Sequence, residues 1–410
     1  MPAIRPFRAL RYNPEVVSDL SRVVSPPYDV IDAQEQERLY QASPYNIVRL
    51  ILGKQSSSDT DSDNRYTRAR REFDAWQESR VLSRDQAPAL YLVEHAFPDG
   101  GRTRSRLGFI ALLELGDAVE RAVYRHEATL AAPKQDRTKL LDAVPASLEP
   151  IFCVYPDAGG AIQARLHDLT AAATPSSRAA VNGETVRVWA VTEPSVIEEI
   201  RCVLAQVAVL IADGHHRFEV ACAQRARYGA LMSYFVSMEE PSLIVRPIHR
   251  VLQEGGAADL QALRSVCAVE QAPDLASIIR WLQGGGDQGR FGWYDGRALS
   301  RVTVHPERLA RWLMAPSVPL PVATLDVSLL HGLILPELGL KNGTTGIRYA
   351  ADTAAAVREV DAGEGRSAWL LRGIPLPQVY ALASQGLSLP PKSTYFYPKI
   401  PSGLTINPLV

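Results

Sequence analysis

The run Val207-Ala208-Val209-Leu210-Ile211-Ala212 is apolar throughout and passes directly into Asp213-Gly214-His215-His216-Arg217-Phe218-Glu219. An apolar run of this length that stops at Asp-Gly reads as a short buried strand. The segment after it, up to Tyr228, has helical spacing, so a helix is expected to start within a residue or two of Arg217. Pro150 to Tyr155 and Val186 to Thr192 read as two further buried strands. Strands alternating with helices imply an α/β or α+β fold in which helices pack on mixed sheets.

The rest of the chain is consistent with that class. Ala69, Phe73 and Trp76 recur at helical spacing among Arg68, Arg70, Arg71 and Glu78, which predicts an amphipathic helix lying on a sheet. Ala89 to Glu94 and Leu107 to Leu115 read as strands joined through Pro98-Asp99-Gly100-Gly101, an antiparallel hairpin. Gly53 to Asn64, Thr174 to Glu184 and Gly284 to Gly289 combine Gly, Ser, Asp and Asn without an apolar period and are expected to be loops. Beyond Gln253, helices are expected at Leu260 to Val266 and Asp274 to Leu282, and strands at Phe291 to Tyr294 and Leu299 to Val304. A length of 410 residues suits two or three domains.

Charge narrows the function. Lys plus Arg number 44 against 45 Asp plus Glu, which leaves no global attraction for nucleic acid or an anionic membrane. The apolar stretch Val203 to Ala212 is half of what a membrane span requires, and Met1 to Leu10 has no signal-like apolar core. Cys153, Cys202, Cys222 and Cys267 are widely spaced with no CxxC pair, so neither a disulfide framework nor a zinc knuckle is expected and a cytoplasmic location fits.

The Asp213 turn carries the chemistry. A strand that turns straight into a helix presents unpaired backbone N–H groups at the helix start, which favour a phosphate or carboxylate. His215, His216 and Arg217 add donors, with Arg217 able to grip phosphate oxygens bidentately. A carboxylate such as Asp213 beside an anion site is costly unless it binds a metal or accepts a proton. The plainer alternative is that Asp213 caps the helix, the histidines are ordinary hydrogen-bonding groups and Arg217 pairs with a carboxylate. Adjacent histidines point in different directions, and no third ligand lies near in sequence, so no protein metal site is expected.

Ala212 to Glu219 resembles the signature of the bacterial and archaeal family known as domain of unknown function 1015. The resemblance extends over the chain, through Arg5-Pro6-Phe7-Arg8-Ala9-Leu10-Arg11-Tyr12, Val24 to Ile31, Ser43 to Leu50, Arg125-His126-Glu127, Gly343-Thr344-Thr345-Gly346 and Pro390 to Lys399. More distantly, Gly214 to Arg217 is similar to the Gly-x-x-Arg turn of the ParB and sulfiredoxin superfamily, whose free serine kinases carry Asp-Gly-His-x-Arg. In those kinases a His-Glu pair precedes the turn and a Pro-Ile strand lies between the two. Here His126-Glu127 and Pro150-Ile151-Phe152 keep that order, with an insertion around Pro156 to Val186. His215 stands where sulfiredoxin has its reactive cysteine, which argues against sulfinic acid reduction.

This resemblance implies a ParB/sulfiredoxin-like nucleotide-binding core at 121–252, between an N-terminal α+β region at 1–120 and a C-terminal α/β region at 253–410 whose tail packs back on the core. It implies a kinase that uses ATP or ADP with Mg²⁺ to phosphorylate a small hydroxyl compound such as free L-serine. Glu127, Asp213 and His216 are then the catalytic candidates, and Gly214, His215, His216, Arg217 and Lys392 the nucleotide contacts. Glu127 and Asp213 are expected to line one pocket. The alternative is a non-catalytic nucleotide-binding switch or accessory protein of the same superfamily, and a homodimer is left open.

Weaker candidates flank these. Pro26-Pro27-Tyr28-Asp29 is a rigid extended element, either a clamp or a substrate contact. Gly343 to Gly346 is either a plain turn or one that wraps phosphate through its backbone N–H and hydroxyl groups. Either Lys392 or Lys399 is expected to reach an anionic ligand while Tyr395, Phe396 and Tyr397 anchor the tail. His249-Arg250 joins the anion site or forms a structural ion pair, and Lys134, Arg137 and Lys139 either add charge to the site or form a solvated helix face.

Overall fold

The computed structural model describes residues 2–116, 119–253, 260–286, 288–340 and 346–409. The chain forms two compact units where the sequence reading divides it into three regions. One unit comprises Met1–Arg125, Thr129–Leu243 and Pro398–Val410, and the other His126–Ala128 with Ile244–Tyr397.

Among the described residues, the first unit is built on a nine-stranded mixed sheet. Its strands are β1 (Ile4–Arg5), β2 (Leu90–Asp99), β3 (Arg102–Glu114), β4 (Val123–Tyr124), β5 (Ile151–Tyr155), β6 (Ser177–Val181), β7 (Glu184–Val191), β8 (Val209–Asp213) and β9 (Ala230–Ser237). They lie in the order β4-β8-β5-β9-β3-β2-β7-β6, with β1 also paired to β3. Only β8 with β4 and β9 with β5 run parallel in that set. The expected hairpin is β2–β3, longer than its apolar runs because pairing continues to Asp99 and Arg102 at a turn where Gly100 and Gly101 take φ of 57° and 78°.

One loop expectation is corrected. Thr174 to Glu184 contains β6, paired to β7 from Glu184 to Val188. The intervening Asn182-Gly183 takes φ of 49° and 81°, both left-handed, as a tight hairpin turn requires. Small residues hid the strand: Ala179 and Val181 are its buried side chains, too few to impose an apolar period. The insertion also holds a helix, Ala161–Ala172, which buries Ile162 and Leu166.

Helix Pro194–Leu204 covers the sheet with Val196, Ile197, Ile200 and Leu204, joining one core with Leu92, Phe109, Ile151, Ile211 and Phe235. A separate core gathers Leu10, Val23, Ile47, Phe73, Trp76, Leu140, Leu148 and Ile406. The predicted amphipathic helix spans Arg65–Glu78 and buries Ala69, Phe73 and Trp76, with Asn64 and Thr67 forming a capping box. The C-terminal segment is stitched into this unit, since Leu10 and Ile406 exchange backbone hydrogen bonds of 2.8 and 3.0 Å and Ser25 and Ser402 bonds of 3.2 and 2.8 Å.

The second unit carries a six-stranded antiparallel sheet among its described residues: β10 (His249–Leu252), β11 (Cys267–Gln271), β12 (Arg290–Tyr294), β13 (Leu299–Val304), β14 (Ile347–Ala350) and β15 (Ser367–Leu370). Their order is β11-β13-β12-β15-β10-β14. Helices Leu275–Gln283 and Thr353–Asp361 pack Ile278, Ala356 and Val360 against Val251, Ala368 and Leu370. Asp274 caps the first of these helices by accepting from the Ser277 N–H at 2.6 Å. Gly343, Thr344 and Thr345 of the candidate phosphate-wrapping turn lie outside the described residues. No helix among the described residues is long and apolar enough to cross a membrane.

Candidate functional site

Strand β8 ends at Asp213, and the chain turns through Gly214 into helix His215–Ala223. Gly214 takes φ of +95°, and a Cβ there would stand 2.7 Å from Ile151 Cγ2, so both backbone conformation and space require glycine. The helix closes with the Phe218 N–H donating to the Gly214 carbonyl at 2.9 Å. No side chain caps it, so Asp213 is not the cap that the plainer reading supposed. The N–H groups of the first helical turn have no acceptor within the helix, which makes this end partially positive.

Asp213 lies between two cations. Its Oδ2 accepts from Arg217 Nη2 at 2.9 Å, and its Oδ1 lies 2.6 Å from Lys399 Nζ. Lys399 also pairs with Asp29. Burial alone pushes the Asp213 carboxyl upward, but Lys399 and Arg217 outweigh it and hold the group well below the usual carboxylate range. Burial likewise opposes the charge on Lys399, and Asp213 and Asp29 reverse that, raising its pKa. Arg217 Nη1 donates to the Pro150 carbonyl at 2.6 Å, so the Pro-Ile strand expected between the motifs does meet the turn. A narrow cleft of about 10 Å³, room for about one water molecule, lies here, lined by Pro27, Phe152, Asp213, Arg217, Lys399 and Ser402 among others.

The remaining motif residues clasp the segment that leads into helix Ala131–Ala143. His216 Nε2 accepts the Leu130 N–H at 2.9 Å, so in this state that nitrogen carries no proton. Glu219 Oε2 accepts from Thr129 Oγ1 at 2.6 Å and from Lys134 Nζ at 3.1 Å. Arg137 is buried, with Nε donating to Asp136 Oδ2 at 2.8 Å, Nη1 donating to the Ile51 carbonyl at 3.0 Å, and its guanidinium over the Tyr28 ring at 3.9 Å. Burial pushes the Tyr28 hydroxyl up to about 12. Lys139 is exposed, on the solvated face of its helix. From the Pro26-Pro27-Tyr28-Asp29 element, Pro27 lines the cleft and Asp29 pairs with the site cation Lys399.

His126, Glu127 and Lys392 belong to the other unit. There Glu127 Oε1 accepts the Lys392 N–H at 2.9 Å, and the His126 carbonyl accepts the Leu389 N–H at 2.8 Å. Lys392 takes φ of +59°, a left-handed conformation that delivers its amide to Glu127. His126 is buried and its Nε2 lies 2.9 Å from Thr394 Oγ1. Arg250 is buried too, with Nε donating to His331 Nε2 at 3.0 Å and Nη2 to the Pro391 carbonyl at 3.3 Å. Burial lowers the Arg250 pKa to about 10 and that of His331 to about 4.

Lys399 lies beside the Asp213 turn, within the same unit, and Lys392 belongs to the other unit. Glu149 was not anticipated: its Oε1 accepts from Ser402 Oγ at 2.8 Å and from the Tyr28 N–H at 3.2 Å, and its side chain lines the same cleft. Among the described residues no group of three His, Cys, Asp or Glu side chains is arranged to hold a metal ion. Both Asp213 oxygens face cations, so the turn as it stands does not present a ligand set for Mg²⁺.

A family model described as "Protein of unknown function (DUF1015)" matches residues 4–328. No curated protein matches the sequence. Solved structures similar to the chain include a free serine kinase in complex with AMP, at 13% identity and a TM-score of 0.36, covering 70% of this chain and 86% of that one. A conserved hypothetical protein from Pyrococcus furiosus shows 13% identity and a TM-score of 0.36, over 73% of this chain and 95% of that one. C-terminally truncated SbnI from Staphylococcus aureus shows 9% identity and a TM-score of 0.39, over 73% and 87%.

Proposed function

The chain belongs to the DUF1015 family, whose description states no activity, and we propose that it is a nucleotide-dependent kinase acting on the hydroxyl of a small molecule, with a free amino acid such as L-serine as acceptor. The observation that carries this reading is the helix start entered through left-handed Gly214, with Arg217 and Lys399 both beside it in one cleft. Backbone N–H groups at a helix start and two cations form an anion site of the kind that holds the phosphates of ATP or ADP.

In this reading Asp213 keeps Arg217 and Lys399 in place while the site is empty of anion, and phosphate oxygens become competing partners for both cations. Gly214 lets the backbone approach the phosphates closely, and His215 and His216 stand in the same turn. Phosphoryl transfer to an alcohol also needs a carboxylate to take the hydroxyl proton, and Glu127 is assigned that role. Its hydrogen bond from the Lys392 N–H fixes one oxygen and so orients the carboxylate. The reading is tested by incubating the protein with ATP or ADP, Mg²⁺ and a mixture of hydroxy amino acids, and analysing the products by mass spectrometry. A phosphorylated amino acid that accumulates with turnover supports it, and none with either nucleotide contradicts it.

A further inference from the structure

Arg250 lies on β10, paired in register with Tyr349 of β14 on one side and Trp369 of β15 on the other, and it is fully buried. Withdrawing a guanidinium from water is costly unless its donors are met. Here three places in the second unit meet them. Nη1 donates to the Ile248 carbonyl, Nε to His331 Nε2 at 3.0 Å and Nη2 to the Pro391 carbonyl at 3.3 Å. The guanidinium also lies over the Tyr349 ring, 5.0 Å from its centre.

The Pro391 carbonyl and the Lys392 N–H are the two ends of one peptide group, and the N–H end donates to Glu127 Oε1 at 2.9 Å. A single planar unit therefore connects the buried cation to the carboxylate. A cation on the carbonyl polarises the peptide and strengthens its N–H as a donor. The chain does not adopt this orientation unaided: Lys392 has φ of +59°, a left-handed conformation that a residue other than glycine keeps when its surroundings impose it. Arg250 supplies that constraint from a strand paired on both sides, which is a rigid base. Burial opposes the charge on Arg250, and Tyr349 and Glu127 act the other way, so the carboxylate is within its electrostatic reach. His331 completes the fork. Its Nε2 accepts from Arg250 and so carries no proton, in keeping with a pKa lowered to about 4 by burial and by Arg250. His331 belongs to the π-helical turn Leu330–Ile334, a rare geometry that recurs at functional sites.

We propose that Arg250 is a positioning residue for Glu127, acting through the Pro391–Lys392 peptide, with His331 holding the guanidinium in the orientation this requires. Its bearing on catalysis rests on the reading of Glu127 as the group that takes the hydroxyl proton, whereas the linkage itself is measurable without turnover.

Labelling the full chain with carbonyl-¹³C proline and ¹⁵N lysine singles out the peptides Pro133-Lys134, Pro391-Lys392 and Pro398-Lys399 in NMR spectra, and Lys392→Arg identifies the second by loss of its signal. Arg250→Met is expected to shift the Pro391 carbonyl resonance and to speed hydrogen exchange at the Lys392 amide about tenfold or more, in a protein that thermal unfolding shows to be folded. His331→Leu removes the acceptor of the fork and is expected to speed that exchange several-fold. His331→Gln, whose side-chain oxygen takes the place of Nε2, is expected to restore the parent values. This pair carries the test should Arg250→Met not fold. In turnover with ATP or ADP and L-serine, Arg250→Met is expected to lower kcat about tenfold with the nucleotide KM nearly unchanged, and to add little in a Glu127→Gln background. The positioning role is overturned by unchanged peptide signals in folded Arg250→Met, by equal losses in His331→Leu and His331→Gln, or by a kcat equal to the parent's. A parent without turnover removes the kinase reading instead, and the peptide signals then decide the linkage on their own.

Discussion

Lys399 Nζ lies 2.6 Å from Asp213 Oδ1, which joins the C-terminal segment to the turn that ends strand β8. Asp29 shares the same ammonium, so three segments distant in sequence meet at one cation. Lys399→Met leaves Asp213 with Arg217 alone and Asp29 without its lysine. Asp213 and Asp29 keep side-chain exposures of 20% and 31%, so the loss is set below the figure for a fully buried pair, at about 2 kcal/mol of unfolding free energy. Urea denaturation measures it, and an unchanged midpoint contradicts the assigned pairing.

The same carboxylate makes stability depend on pH. The folded-state pKa of Asp213 is depressed below its unfolded value, near 3.9 for an aspartate, by Lys399 and Arg217 acting against burial. Its contribution is therefore fully present above about pH 5, and is lost as pH falls below the unfolded value toward the depressed one. Asp213→Asn should be less stable than the parent at pH 7, and the gap should narrow as pH falls below about 4. A gap independent of pH between 7 and 3 contradicts the ion-pair assignment.

Gly214 is predicted to tolerate no side chain. Gly214→Ala places a Cβ 2.7 Å from Ile151 Cγ2 on a backbone with φ of +95°. Left-handed strain and overpacking together should cost roughly 2–4 kcal/mol. Thermal unfolding of the variant against the parent checks this, and a shift within error shows that the turn relaxes.

For Arg217→Ala, nucleotide affinity should fall by about 1.5–3 kcal/mol, the value of a charge-assisted hydrogen bond. The variant also frees the Pro150 carbonyl and one Asp213 oxygen, so calorimetry of ADP or ATP binding should be paired with a folding check. Affinity equal to the parent's in a folded variant removes Arg217 from the nucleotide site.

The turn was legible in sequence because every signal for it is local: an apolar run, Asp-Gly, then helical spacing. The β2–β3 hairpin and the Arg65–Glu78 helix were legible for the same reason. Strand β6 was not, since Ser-Arg-Ala-Ala-Val gives no apolar alternation strong enough to stand out, although Asn182-Gly183 was a local clue to its turn. The place of Lys399 beside Asp213 was illegible for a different reason. Nothing local in the tail says that this lysine meets a turn nearly two hundred residues away, and its position is fixed by contacts such as Arg106 Nη2 donating to the Pro398 carbonyl at 2.8 Å. The partner of His216, a backbone amide at Leu130, carries no side-chain signature at all.

The most direct measurement of the central claim is transfer of an isotopically labelled terminal phosphoryl group from ATP or ADP to L-serine, in single turnover, by the parent and by Glu127→Gln. Glutamine keeps the shape and an acceptor oxygen for the Lys392 N–H but takes no proton. The account predicts labelled phosphoserine from the parent, and from Glu127→Gln a rate lower by roughly 10²-fold or more with nucleotide affinity nearly unchanged. Label that stays on the nucleotide or passes only to water in the parent, or transfer by Glu127→Gln at the parent rate, would contradict it.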